Sequence, residues 1–150
     1  MGIIKCASGA SCWRGLDYYK ENKIKDIKKI NEKEYTSKVC GTEEYNVYLN
    51  LAKPRFSTCN CALADGKKII CKHIVATYFS VVPGSGKEFE EEQKRLENEY
   101  YDYLERQYEN AVLFINNMSQ TELVNELIYI LNYSPEWVYD DFVRKNDIRG

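Results

Sequence analysis

Three of the chain's six cysteines and its only histidine fall within fifteen residues, as Cys59-Asn60-Cys61 and Cys71-Lys72-His73. No other feature constrains the fold so tightly. A structural zinc site takes four ligands at tetrahedral corners with Zn–S near ~2.3 Å, so neighbouring sulfurs must approach to roughly 3.8 Å. In an extended chain, side chains at i and i+2 point the same way. Cys59 and Cys61 on a strand end therefore chelate together. Inside an ideal helix i and i+2 diverge by about 200°. The second pair thus predicts that Cys71 precedes a helix and that His73 lies in its first turn. Asp65-Gly66, a tight-turn pair, would bring the two halves face to face. The competing reading is a set of buried free cysteines around a core histidine. Two i, i+2 pairs so close together favour the metal.

Cellular context points the same way. With 44 % hydrophobic and 13 % aromatic residues, the chain has enough apolar material for a core and too much for a disordered segment. No apolar run is long enough to cross a membrane, and the first residues, MGIIKCASGASCW, lack the apolar centre of a secretion signal. The expectation is a cytoplasmic protein, nucleoid association included, where thiols stay reduced and clustered cysteines read as metal ligands before disulfides. Charge divides unevenly. Residues 1–87 carry 15 Lys/Arg against 8 Asp/Glu, a net +7, whereas residues 88–150 carry 6 against 15, a net −9.

Periodicity outlines the elements. SGASCWRGLDYYKENK reads as a short helix capped by Ser8 or Ser11, with Trp13, Leu16 and Tyr19 facing inward. Residues 23–30, 34–42 and 44–52 read as three strands of an antiparallel meander. The third is clearest, since Tyr45, Val47, Leu49 and Leu51 alternate with Asn46, Tyr48 and Asn50. Residues 55–61 read as a fourth short strand, Lys68–Cys71 as a fifth, and residues 72–82 as a helix stopped by Pro83-Gly84. PGSG at 83–86 is a linker candidate. Beyond it, Phe89, Leu96, Tyr100, Tyr103, Leu104, Tyr108, Ala111, Ile115 and Met118 recur at three and four over a helix from about Glu88 to Met118. Ser119-x-x-Glu122 is a capping box for another helix, and Ser134-Pro135 opens a last one as cap and first helical residue.

The pattern Cys59-Asn-Cys61…Cys71-Lys-His73 resembles the C-x-C-x(n)-C-x-H signature of SWIM zinc fingers. The flanks agree: ASGASCWRGLDYYKENKIKDI resembles the helix and first strand of bacterial SWIM proteins, VCGTEEYNVYL their middle strands and CKHIVATYF their terminal helix. TELVNELIYI…SPEW resembles the helical region that often follows. The resemblance implies an α+β fold with an N-terminal helix, a small antiparallel sheet carrying the finger, and a C-terminal all-helical extension. It implies a SWIM-type module over 1–84, an extension over 88–150, and a structural Zn²⁺ held by Cys59, Cys61, Cys71 and His73. Cys6, Cys12 and Cys40 stand outside the signature and read as free thiols.

Three function classes follow. The first is nucleic-acid binding, preferably DNA, through Lys23, Lys25, Lys28, Lys53, Arg55, Lys67, Lys68 and Lys72 on the basic half. The bland reading of these lysines is a solvated face that offsets the net negative charge of three thiolates around Zn²⁺. The second is a protein-interaction adaptor, for example for a helicase-like remodeller, using the acidic, tyrosine-rich helical half. The third, catalysis, is disfavoured. Four available ligands close the zinc site, no second histidine exists to act as base, and there is neither a deaminase pattern nor a phosphate-binding G-x-x-x-x-G-K-[ST] loop. No small-molecule substrate and no membrane partner are expected.

Overall fold

The computed structural model describes residues 2–148. The chain divides into two compact units, one ending at Lys94 and the other beginning at Arg95. The first unit opens with a one-turn helix, α1 (Ile3–Cys6), followed by α2 (Gly9–Lys20), whose N-cap Ser8 accepts a hydrogen bond from the Ser11 backbone N–H. Four strands follow: β1 (Ile24–Asn31), β2 (Glu34–Cys40), β3 (Glu44–Asn50) and β4 (Thr58–Cys59), antiparallel in the order β1-β2-β3-β4. Pro54–Phe56, between β3 and β4, is a single 3₁₀ turn. Helix α3 (Lys72–Val81) packs on one face of this sheet and against α2.

The core lies between α2, α3 and the inner sheet face, where Leu16, Val39, Leu49, Ile74, Val75 and Phe79 are almost wholly buried. Period-2 alternation puts Val39 and Ser37 of β2 toward α3. Ser37 makes a buried hydrogen bond to Thr77 Oγ1 at 2.7 Å. The Thr77 hydroxyl itself donates to the His73 carbonyl at 3.0 Å, so Ser37 is the donor in that pair. A polar chain thus runs from the sheet, through α3, to the backbone of His73. Helices α2 and α3 approach so closely at Gly15 that a Cβ there would lie 2.6 Å from Val75 Cγ1 and 2.9 Å from the Lys72 carbonyl oxygen.

Several local expectations change. Lys68–Cys71 does not form a strand. β4 is only two residues long, and Ile70 finds a single parallel bridge to Ala7 instead. The helix expected from about Glu88 starts earlier: α4 spans Ser85–Asn116, and Ser85, Gly86 and Phe89 are buried. Gly86 sits against Leu16 and Tyr19, where a Cβ would come within 3.1 Å of the Tyr19 ring, so this glycine serves helix packing and not a linker. Trp13 and Tyr19 are only partly covered, Trp13 meeting Phe89 edge-on at 5.2 Å.

The second unit comprises the rest of α4, α5 (Gln120–Tyr133) and α6 (Glu136–Lys145). Both halves of the Ser119/Glu122 capping box form. Pro135, expected at the first helical position, occupies the N-cap of α6. Of the apolar stripe read along α4, Phe89 is buried, whereas Leu96, Tyr100, Tyr103, Leu104 and Tyr108 are exposed.

The tight α2–α3 crossing yields a stability test. Gly15→Ala forces Val75 and the Lys72 carbonyl aside and should destabilise the first unit by about 1–3 kcal/mol, read as a lower denaturant midpoint. An unchanged midpoint would contradict the close packing described here.

Candidate metal centre

Each ligand candidate is placed by backbone that its own sequence specifies. Cys59 ends β4, opposite Val47 of β3. Asn60, between the two cysteines, accepts from the Asn46 N–H through its side-chain oxygen at 2.8 Å, while its own N–H donates to the Asn46 carbonyl at 3.3 Å. That clamp fixes the Cys59–Cys61 segment to the sheet. The chain then turns under Cys61, whose carbonyl accepts from the N–H groups of Ala64 and Asp65, both at 2.9 Å. Cys71 is the N-cap of α3, and His73 lies in its first turn, as the C-x-H spacing predicts.

The result is a closed cluster. One ligand atom from each of Cys59, Cys61, Cys71 and His73 lies within 4.8 Å of the others, and all four residues are buried. His73 turns Nδ1 toward the sulfurs, 3.6 Å from Cys59 Sγ. Its Nε2 is buried and has no hydrogen-bond partner among the described residues. A stack holds the ring in place: Tyr45 lies parallel to it at 4.2 Å between centroids, and Tyr18 is tilted against it at 5.4 Å. The Tyr45 hydroxyl is tied to Thr42 Oγ1 at 2.8 Å. Histidine ligands commonly owe their orientation to a hydrogen bond on the second ring nitrogen; here an aromatic face does that job.

The thiols are electrostatically coupled. Hydrogen bonding from the Cys59 thiol holds Cys71 down to about 4 against the opposing effect of burial, with help from His73 and from the N–H groups of Ile74 and His73 at the start of α3. Cys59 is pushed up, first by donating that hydrogen bond and then by burial and the Cys71 charge. A buried trio of soft sulfur donors with an imidazole nitrogen, one sulfur already favouring the thiolate, fits a structural zinc. Bound there, the ion would supply a cross-link between β4, the turn after it and the start of α3. With four protein donors, the centre would have no open position for a substrate.

The nominated basic residues fall into separate groups. Lys25 and Lys28 lie on β1, opposite Lys38 and Thr36 of β2. Lys53 stands over the Phe56 ring at 5.5 Å, with Arg55 in the same 3₁₀ turn. Lys67 and Lys68 sit in the loop before Cys71 and are exposed. Lys23 is paired with Glu21, and Lys23 and Lys72 both approach the Tyr18 ring, at 4.4 and 4.5 Å. Sequence reasoning passed over Lys38, Tyr45, Asn60 and Thr77. For Tyr45 the alternation had signalled an inward side chain without saying what it would meet. Cys6, Cys12 and Cys40 are free thiols, Cys12 buried and its pKa raised by that burial. They join no second cluster of potential ligands among the described residues.

A buried three-sulfur, one-imidazole cross-link of this kind defines a zinc-finger module. The match to known families is equally specific: residues 45–81, from Tyr45 in β3 to the end of α3, match the family described as SWIM zinc finger. The matched segment contains all four clustered residues together with the Tyr45 platform. No curated protein and no solved structure matches the chain. No helix among the described residues is long and apolar enough to cross a membrane.

Two outcomes test the centre. Tyr45→Ala frees the His73 ring and should weaken zinc binding about tenfold, the low end of the effect of losing an orienting partner, measured by competition with a chromogenic chelator. Stripping the metal should abolish hydrogen-exchange protection across residues 45–81 while leaving the α5 amides unchanged; equal loss in both places would contradict a cross-link confined to the finger.

Proposed function

We propose that the zinc finger serves as a rigid mount for a nucleic-acid-binding sheet, with DNA as the preferred ligand. One observation carries this reading. The sheet has one face covered by α3 and one face open, and the open face is polar and basic. Lys28, Thr36, Lys38, Asn46, Tyr48 and Thr58 line a shallow depression of about 370 Å³ there, with Asp26 at its margin 4.0 Å from Lys38, and Lys25 lies on the same face, across from Lys38. Lysines, hydroxyls and amides on a flat surface are the groups that contact phosphate and sugar. The basic residues differ in availability. Lys38 is engaged by Glu44 at 2.7 Å, and Lys29 by Glu32 at 2.6 Å. No ion pair engages Lys25 or Lys28 among the described residues. Lys67 and Lys68 of the zinc loop, and Arg55, are exposed outside the sheet.

The centre itself takes no part in chemistry under this reading. It holds β4 and α3 in register so that the open face stays flat, and phosphate contacts through lysine give binding that is sequence-tolerant and salt-dependent. Lys72, drawn over Tyr18 beside His73, is the residue best placed to offset the zinc–thiolate charge. The adaptor reading, with a helicase-like remodeller as partner, draws on the helical unit and does not compete for this face.

The test is a double charge reversal. Lys25→Glu with Lys28→Glu should weaken duplex DNA binding at least tenfold in fluorescence anisotropy, and should reduce the slope of log affinity against log salt by about 2, with zinc content unchanged. Affinity and slope both equal to wild type would remove the sheet face as the binding surface.

A further inference from the structure

We propose that the helical unit is one half of a homodimer, and that a second copy of this chain covers α5 and the open groove between it and the end of α4. The unit lacks a core of its own: from Arg95 onward no described residue is buried. Helix α5 is the clearest case. Eight of its fourteen residues are apolar or tyrosine, and none is buried. Leu123, Leu127 and Ile130 line a groove of about 480 Å³ shared with Phe114, Ile115 and Met118 of the preceding helix and turn. Val124, Ile128 and Leu131 form a second stripe at the same i, i+4, i+7 spacing, turned about 100° from the first. The first stripe is the one turned to the groove within the chain. Helices that are apolar around most of their circumference are interior helices, so the second stripe calls for another layer.

Area and charge identify the occupant. Ten large apolar side chains between Leu113 and Tyr133 are exposed, from 39 % at Leu123 to 76 % at Tyr133. At about 200 Å² for full cover of each, and with about half of that still open, they offer on the order of 1,000 Å² per chain; a stable interface takes about 800 Å² from each side. Between Glu109 and Glu136 the only charges are Glu122 and Glu126, and the Glu122 carboxylate is committed to the Ser119 cap. A charged partner would find no counterpart in this stretch. A second copy meets it with an identical, nearly uncharged surface, and obligate homodimer interfaces have this composition, like a domain core cut in half. Two copies related by a two-fold axis, each filling the other's α4–α5 groove, make a closed helical assembly that buries both stripes. The acidic run Glu97, Glu99, Asp102, Glu105 and Glu109 on α4 sets the direction. Antiparallel pairing sends the two runs to opposite ends, whereas parallel pairing stacks them.

The measurement uses the full zinc-loaded chain without nucleic acid. Light scattering coupled to size exclusion between about 1 and 100 µM should give twice the 17.6 kDa chain mass, and exchange protection on α5 should rise with concentration. Ile128→Glu, on the second stripe and outside the intrachain groove, should weaken the dimer at least 100-fold while retaining the helical circular dichroism. A 17.6 kDa species throughout the range overturns the proposal, whatever else later proves to bind the face. So does a dimer whose α5 protection does not depend on concentration, a result read on wild-type protein even if the variant fails to fold.

Discussion

The first unit depends on bringing three sulfurs and one imidazole to within 4.8 Å in a site closed to solvent. Without a cation, such a set is in conflict with itself. Cys71 is stabilised as a thiolate at the expense of Cys59, which must keep its proton to donate to it. A divalent ion removes the conflict, since all three sulfurs then carry charge toward one centre. In zinc-finger peptides that event contributes apparent energies of ~10–16 kcal/mol, comparable to the whole stability of an ordinary domain. The finger's sheet contribution is small by comparison: β4 is a two-residue strand held by Val47 and Tyr48 on one side. An ion held by Cys59, Cys61, Cys71 and His73 would make so short a strand sufficient.

Rigidity then passes outward through two routes that avoid hydrogen bonding to the imidazole. One is aromatic. Tyr45 on β3 stacks on His73, and Tyr18 on α2 leans on the same ring while Lys23 and Lys72 lie over Tyr18. The other is polar, from Ser37 on β2 through Thr77 to the His73 carbonyl. Helix, sheet and metal loop therefore meet at one residue. An unpaired Nε2 in this setting is tolerable because the ring is already held by two aromatic neighbours, so the protein does not need a carboxylate beside the cysteines.

The sequence made the metal ligands legible because their geometry is encoded locally. An i, i+2 pair has one shared direction in a strand, and another at a strand-to-helix or loop-to-helix junction, and both were realised at Cys59/Cys61 and Cys71/His73. The meander was legible for the same reason, through period-2 alternation in Tyr45–Leu51. What was not legible depends on contacts between distant segments. Lys68–Cys71 has a strand-like composition but no neighbouring strand edge to pair with, so it yields one bridge at Ile70. Ser85-Gly86 carries linker composition, yet Gly86 lies inside a helix because Tyr19 and Leu16 press on it. The stripe along α4 was real as a pattern, but a pattern does not say whether the surface it faces lies in the same chain.

The two halves of the chain carry opposite physics. The basic half presents charge on a flat sheet and keeps its apolar groups inside; the acidic half keeps few charges near α5 and leaves its apolar groups outside. If the two proposals are taken together, the division has a consequence that neither has alone. Single lysine–phosphate contacts are weak and salt-sensitive, and a sheet whose two lysines free of ion pairs among the described residues, Lys25 and Lys28, lie on its edge strand binds weakly by itself. Joining two chains through their helical units makes the second sheet's contact intramolecular, and linkage of this kind raises overall avidity by 10²–10⁴ without any new contact, provided both faces reach the same ligand.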